Sequence, residues 1–323
     1  MPETIHIALS ANQAFTVPLG LCLRSIMQSA AEGTQYHFHI LDSGVDRKVL
    51  QLGGFTNISW YDVADKLRDL PCGGRFPTPI YHRFLLPQLL PDTIERVIYL
   101  DCDTVVRRDL GELYRTELGE TAIAAVPWVV LGHYAEEFGQ HLRSFPRRFG
   151  LADDGTPYFY SSLLVMQLPA MRSMQIPQRL IAATRHHTRE LIWPDQDVLN
   201  AVLRGQITPL PLEYNVIPLF SEQLENESQE ARAAYAAPAI VHFAAMKPNI
   251  LTGPRNALEQ DFFRFWQSSP WKRRIPYPLI SLSRMPRPAA ALLKAVFTAL
   301  LPFPGLLRQL GKLLNALRGG QHR

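Results

Sequence analysis

The chain has 323 residues, of which 47% are hydrophobic and 19% charged, with a formal net charge of +4. These are the proportions of a globular protein long enough for one large α/β domain or two smaller ones. Three scattered cysteines, Cys22, Cys72 and Cys102, form no CxxC pair, which argues against a disulfide framework or zinc knuckle and for a reducing compartment.

In chain order, the opening MPETIHIALS lacks the charged and long apolar regions of an export signal, and IHIAL (5–9) reads as the first strand. VPLGLCLRSIMQSA (17–30) has apolar residues at helical spacing. A strand at YHFHILD (36–42), a short helix at DRKVLQL (46–52) and a strand at NISWYDV (57–63) follow. Strand, helix, strand, helix, strand with short connections predicts right-handed crossovers, hence an α/β fold with a mostly parallel central sheet. IYHRFLLPQLL (80–90) reads as the next helix; RVIYL (96–100), TAIAAVPW (121–128) and YFYSSLLVMQL (158–168) read as strands. Residues 131–157 hold Gly, Pro, Arg and His without a clear period and read as an irregular insertion near the site.

WPDQDVLNAVL (193–203) reads as a helix with Pro194 at its start and Asp195 at or near the N-cap. Asp195 is thus expected as a structural cap, although Asp195 and Gln196 together offer the acceptor and donor groups that fix a sugar hydroxyl.

Residues 284–323 contain seven basic residues and no acid, so removing them from the +4 total leaves the first 283 residues at about −3. A nucleic-acid partner, which wants basic residues across a folded face, is disfavoured. In the last segment Leu306, Leu307, Leu310, Leu313, Leu314 and Leu317 lie on one helical face. The apolar run 289–301 is shorter than the ~20 residues that span a bilayer. The tail is therefore expected either to dock on the body or to lie in a membrane surface, Arg and Lys toward anionic headgroups. The lack of acids favours the second. The expected division is a catalytic domain over 1–283 and a basic amphipathic tail over 284–323.

The chemistry centres on RVIYLDCDTVVR (96–107). Side chains alternate along an extended chain, so Asp101 and Asp103 point one way and Cys102 the other. Ligands of open parallel sheets bind beyond the carboxyl ends of strands. Two carboxylates there repel unless a cation lies close by, and oxygen ligands suit Mg²⁺ or Mn²⁺ shared with a phosphate. Solvated acids or turn caps are the plainer alternative. In IVHFAAMKPN (240–249), His242 is a candidate nitrogen ligand that favours Mn²⁺, or else a core histidine bonded to backbone. Lys247 is placed to neutralise a diphosphate.

These segments, in this order from about Ile5 to Asn249, resemble the retaining glycosyltransferases of family 8. That family includes bacterial lipopolysaccharide galactosyl- and glucosyltransferases and glycogenin. The resemblance rests on SANQ, HFHILD, IYHRFLLP, RVIYLDCDTVVRRDLGELY, YFYSSLLVMQL, DQDVLN and HFAAMKPN. It implies a GT-A-type nucleotide-sugar-binding fold. Asp101, Asp103 and His242 would ligate a divalent metal, usually Mn²⁺, and a UDP-hexose would be the donor. It further implies Asn12 against the nucleoside, Arg83 near the donor's sugar and phosphates, Asp195 and Gln196 on the transferred sugar, and Lys247 on the diphosphate. The acceptor would be a glycan or lipid-linked oligosaccharide, met at the inner face of the plasma membrane by a cytoplasmic enzyme.

The chain departs from the family pattern at four places. Ser10 stands where an aspartate read as a uracil contact is usual, and Tyr160 and Ser162 replace an asparagine and a glycine. Trp128 stands where relatives often carry aspartate, and the motif from His242 is one residue shorter, with Asn249 in place of tryptophan. Two alternatives compete. LDCDTVV also matches the haloacid-dehalogenase phosphatase signature, with Asp101 as nucleophile and Asp103 as general acid. A degenerate family member that binds glycan at a membrane without transferring sugar is the other.

Overall fold

The computed structural model describes residues 3–72, 78–129, 135–221, 224–244, 247–248 and 253–274, with residues 295, 296, 299, 300, 306 and 309 beyond. Seven strands form the main sheet: β1 (Thr4–Asn12), β2 (Gln35–Ser43), β3 (Ile58–Asp62), β4 (Arg96–Leu100), β6 (Ile123–Pro127), β7 (Phe159–Gln167) and β8 (Ile207–Pro209). Their order is β3-β2-β1-β4-β7-β6-β8. β1 pairs in parallel with β2 and β4, as do β2 with β3 and β6 with β8; β7 runs antiparallel between β4 and β6. The expected α/β architecture with a mostly parallel sheet is what forms.

Both faces of the sheet are covered, which is why its strands read as nearly unbroken apolar runs. Ile5, Ile7 and Leu9 of β1 enter one core with Leu19, Cys22, Leu23 and Ile26 of the helix Thr16–Ser29. Ala8, Tyr99, Leu164 and Met166 enter the other core, with Val198 and Leu199 of the helix Pro194–Val202. Near the end of the described body, Trp271 is fully buried and its indole N–H donates to the Val49 carbonyl (2.8 Å). It lies so close over the first helix that a Cβ at Gly20 would stand 2.5 Å from its ring, so only glycine fits there.

Two small strands assemble the site. β5 (Thr104–Val106) and β9 (Ile240–His242) pair antiparallel, with Thr104 opposite His242. The Phe243 N–H donates to the Asp103 carbonyl (3.0 Å), extending the pairing into the acidic loop.

Three local expectations change. Residues 80–90 do not form one α-helix: a 3-10 helix spans Thr78–Leu85 and a single α-turn spans Leu86–Leu89. Pro87 has no N–H to offer the Arg83 carbonyl, so an α ladder is interrupted there. The supposedly irregular insertion contains a helix, Ala135–Arg148. Phe138, Leu142, Phe145 and Phe149 pack on the core at positions i, i+4, i+7 and i+11, a period that the intervening charges and Pro146 obscure. Asp195 is not a cap: the cap position is Trp193, and Asp197 Oδ2 accepts from the Ile192 (2.8 Å) and Trp193 (3.0 Å) N–H groups.

Most of 275–323 lies outside the described residues. Of the tail positions described, Leu300 packs against the core, whereas Val296 and Leu306 are exposed. No helix among the described residues is long and apolar enough to cross a membrane.

Candidate active site

Asp101, Cys102 and Asp103 form the loop between β4 and β5, at the carboxyl end of the parallel strands. The alternation expected from sequence holds. Cys102 turns into the core, its thiol 3.5 Å from the Ser10 carbonyl, while both aspartates turn toward His242. His242 Nε2 lies 3.5 Å from Asp103 Oδ1 and 4.0 Å from Asp101 Oδ2. One ligand atom from each of the three residues falls within 4.8 Å of the others.

Each carboxylate is held from behind. Asp101 Oδ1 accepts from Tyr99 Oη (2.9 Å) and Arg83 Nη2 (3.0 Å), leaving Oδ2 on the His242 side. Asp103 Oδ2 accepts from Lys247 Nζ, which also donates to the Phe243 (2.9 Å) and Ala244 (3.2 Å) carbonyls. Burial pushes the Asp103 carboxyl up, but Lys247 and His242 outweigh it and hold the group well below the usual carboxylate range.

These residues fit a divalent cation. Bonds of ~2.1 Å in an octahedron place neighbouring ligands ~3 Å and opposite ligands ~4.2 Å apart. One atom from each of the three residues lies within 4.8 Å of the others, close to that range, and two oxygens with one nitrogen suit Mn²⁺.

Arg83 joins this cluster to a second one. It is 3% exposed, and its guanidinium lies 4.4 Å over the Tyr99 ring. Nε donates to the Ile80 carbonyl (2.9 Å), Nη1 donates to the Ser161 carbonyl, and Nη1 sits 3.4 Å from Asp195 Oδ2. Burial opposes its charge, yet Asp101, Tyr99, Asp195 and Asp103 together keep it firmly protonated. Asp195 Oδ2 also accepts from Ser161 Oγ (2.7 Å). Burial raises the Asp195 carboxyl, and Arg83 and Ser161 pull it back only in part. Gln196 Oε1 accepts the Ser161 N–H (3.1 Å), so the strand β7 fixes both residues.

Asp101, Asp103, His242, Lys247, Arg83, Asp195 and Gln196 therefore come together as one polar surface. Ser10 and Asn12 end β1 beside it without joining the cluster. Ser10 Oγ donates to the Pro79 carbonyl (3.3 Å), and Asn12 Oδ1 accepts the Phe15 N–H (3.3 Å), capping a short turn. The Phe15 ring lies 5.8 Å from Lys247 Nζ, so this turn borders the site. Tyr160 and Trp128 touch each other, with ring centroids 5.6 Å apart, and both are buried.

Sequence reasoning missed Tyr99, Ser161 and Asn215. Tyr99 had a readable signal, since it shares a strand face with Asp101. Asn215, whose Oδ1 lies 2.9 Å from His242 Nδ1, had none.

A doubly covered, mostly parallel sheet with an acidic pair and a histidine at its carboxyl edge is suited to holding a phosphate-bearing ligand through a cation. The Glycosyl transferase family 8 model matches residues 6–248, and the chain belongs to that family. It is a glycosyltransferase.

Among curated relatives, general stress protein A of Bacillus subtilis is 24% identical over 286 residues, covering 83% of this chain and 95% of the relative. Lipopolysaccharide 1,2-glucosyltransferase of Escherichia coli K12 is 25% identical, covering 71% and 67%. In structure, the chain is similar to galactosyltransferase LgtC, crystallised with donor and acceptor sugar analogues. The TM-score is 0.68 and the identity 22%, over 82% of this chain and 96% of that one.

Proposed function

We propose that this chain is a retaining, Mn²⁺-dependent hexosyltransferase that moves galactose or glucose from a UDP-sugar to a glycan or lipid-linked oligosaccharide such as lipopolysaccharide. The observation that carries the reading is the convergence of Asp101, Asp103 and His242 at the carboxyl edge of the sheet, with Lys247 on the same carboxylate. Family membership and the lipopolysaccharide sugar transferases among its relatives supply the class of donor and acceptor.

Asp101, Asp103 and His242 would hold the metal, which when bound neutralises the charge that gathers on the departing diphosphate. The chain's own residues do the rest. Lys247, released from Asp103, places a second positive charge against the leaving group as the anomeric C–O bond breaks. Arg83, bonded to Asp101, Ile80 and Ser161, fixes Asp101 and Asp195 relative to each other, near the donor's sugar and phosphates. Asp195 accepts from a sugar hydroxyl, and Gln196 holds the β7 backbone that supports it. Asn12 and Ser10, at the end of β1, lie where the nucleoside would rest. Attack comes from the leaving group's own face, with a phosphate oxygen taking the acceptor's proton. The basic tail brings the enzyme to the inner face of the plasma membrane, where a lipid-linked acceptor resides.

The test is a binding screen of UDP-, GDP- and ADP-sugars with and without Mn²⁺, on wild type and Asp103→Ala. UDP-sugars should bind only with Mn²⁺ and only to wild type; donor binding untouched by the substitution would end the metal assignment. Slow release of UDP separates a transferase from both alternatives, because a phosphatase would attack simple phosphate esters and a binding protein would do neither.

A further inference from the structure

Behind His242 stands a residue with no part in the proposed reaction. Asn215 closes the 3-10 turn Leu212–Asn215 and is 6% exposed. The next residue fixes its place: the Val216 N–H donates to the Ile240 carbonyl (3.0 Å), and the His242 N–H donates to the Val216 carbonyl (2.8 Å). The Asn215 side chain is thereby set against the histidine ring. Its Oδ1 accepts from Ser162 Oγ (3.2 Å) and lies 2.9 Å from His242 Nδ1, while its Nδ2 is buried with no partner among the described residues.

An unpaired buried amide N–H is unfavourable, and an apolar side chain of similar shape would avoid it. What the amide offers in exchange is a carbonyl oxygen, which can only accept. Ser162, at a position where the family pattern has glycine, adds a hydroxyl to that oxygen and restrains it.

We infer that Asn215, held by Ser162, is a positioning residue that fixes His242 as the Nδ1–H form and aims the Nε2 lone pair at the gap between Asp101 and Asp103. This rests on the metal reading above and deepens it. A carbonyl acceptor at Nδ1 requires a proton on that nitrogen. With the proton on Nδ1, Nε2 with its lone pair stands 3.5 Å from Asp103 Oδ1, on the side where a cation would be held. Partners behind a metal-binding histidine typically change metal affinity ten- to a hundredfold.

The experiment measures Mn²⁺ affinity by electron paramagnetic resonance on full-length protein. Asn215→Leu should weaken binding by about 10- to 100-fold with an unfolding midpoint close to wild type. Asn215→Asp, which keeps the acceptor, should bind at least as tightly as wild type. In a His242→Ala background the Asn215→Leu effect should vanish, which a merely structural role would not produce. Should Asn215→Leu fail to fold, ¹⁵N spectra of Zn²⁺-loaded wild type decide the matter: His242 must carry its proton on Nδ1.

An Asn215→Leu affinity within twofold of wild type, an equal loss without His242, or a proton on Nε2 overturns the inference alone. A wild type that binds no Mn²⁺ overturns the metal reading and the inference with it.

Discussion

Replacing Arg83 by Met keeps an apolar stem and deletes the guanidinium with its charge. Two carboxylates then lose a counter-ion. Asp101 has a side-chain exposure of 26% and retains Tyr99; Asp195 is 9% exposed and retains Ser161. Breaking a buried ion pair by removing one member destabilises by roughly 3–5 kcal/mol, because the remaining charge is left in low dielectric. Most of that loss falls on Asp195, the more buried of the two, and it is a large share of the ~5–15 kcal/mol that typically separates folded from unfolded chains.

The pH dependence has a definite sign. Asp195 is already raised by burial, so the folded state keeps its proton to higher pH than the unfolded state does. Such a group lowers stability as pH rises through and above its unfolded value, and the variant, lacking Arg83, enlarges the penalty. Urea unfolding should therefore show a deficit of about 3–5 kcal/mol at pH 8. At pH 5 it should be smaller by ~1.4 kcal/mol for each unit of added displacement that the acid relieves. Adding Asp195→Asn to Arg83→Met should recover part of the loss at pH 8. A deficit under ~1 kcal/mol at pH 8, the size of an exposed pair, would refute the reasoning; so would one that grows on acidification.

Lys247→Met should weaken UDP binding about 10- to 100-fold, the worth of one charge-assisted hydrogen bond, while leaving Mn²⁺ affinity without nucleotide undiminished because Asp103 Oδ2 is freed. Isothermal titration with each ligand checks this, and a parallel loss of both affinities contradicts it. On β1 and β2, His39 is pushed down to about 3, by burial first and then by His6 and His37. It folds neutral, so its stability contribution is whole above the ordinary histidine value and is lost as pH falls toward 3; between pH 7 and 5 unfolding should ease by ~2 kcal/mol, and His39→Gln should flatten that slope. A chain ending at Pro286 should release UDP at the full rate yet fail to sediment with anionic vesicles that retain the full-length protein; truncated protein that stays on the vesicles would sink the membrane role of the tail.

The parts legible in the sequence are those whose signal is local. The βαβ alternation of the first hundred residues and the outward pairing of Asp101 and Asp103 both follow from the period of an extended chain. The helix over 135–148 was hidden by dilution, since its anchors Phe138, Leu142 and Phe145, with Phe149 just past its end, are spread among charged residues and a proline. Asp195 could not be told from a helix cap for a different reason. Two aspartates follow Pro194, and only the tertiary packing of β7 against that helix sends the first to Ser161 and Arg83 and leaves the second to cap.

His242 shows most clearly why a site is harder to read than a fold. Its segment announces a strand followed by a polar residue, and nothing in it says which acids it will face. That is decided by Thr104 pairing opposite it and by the Phe243 N–H reaching the Asp103 carbonyl. The β5–β9 pairing is only three residues long on each side, too short to be stable alone. It persists because Val105, Val106, Ile240 and Val241 are buried in the core beneath it. The same burial that holds the ligands in register also keeps water from Asp103 and His242. The charge of the site must then be balanced from within, by Lys247 in this state and by a cation in the proposed working one.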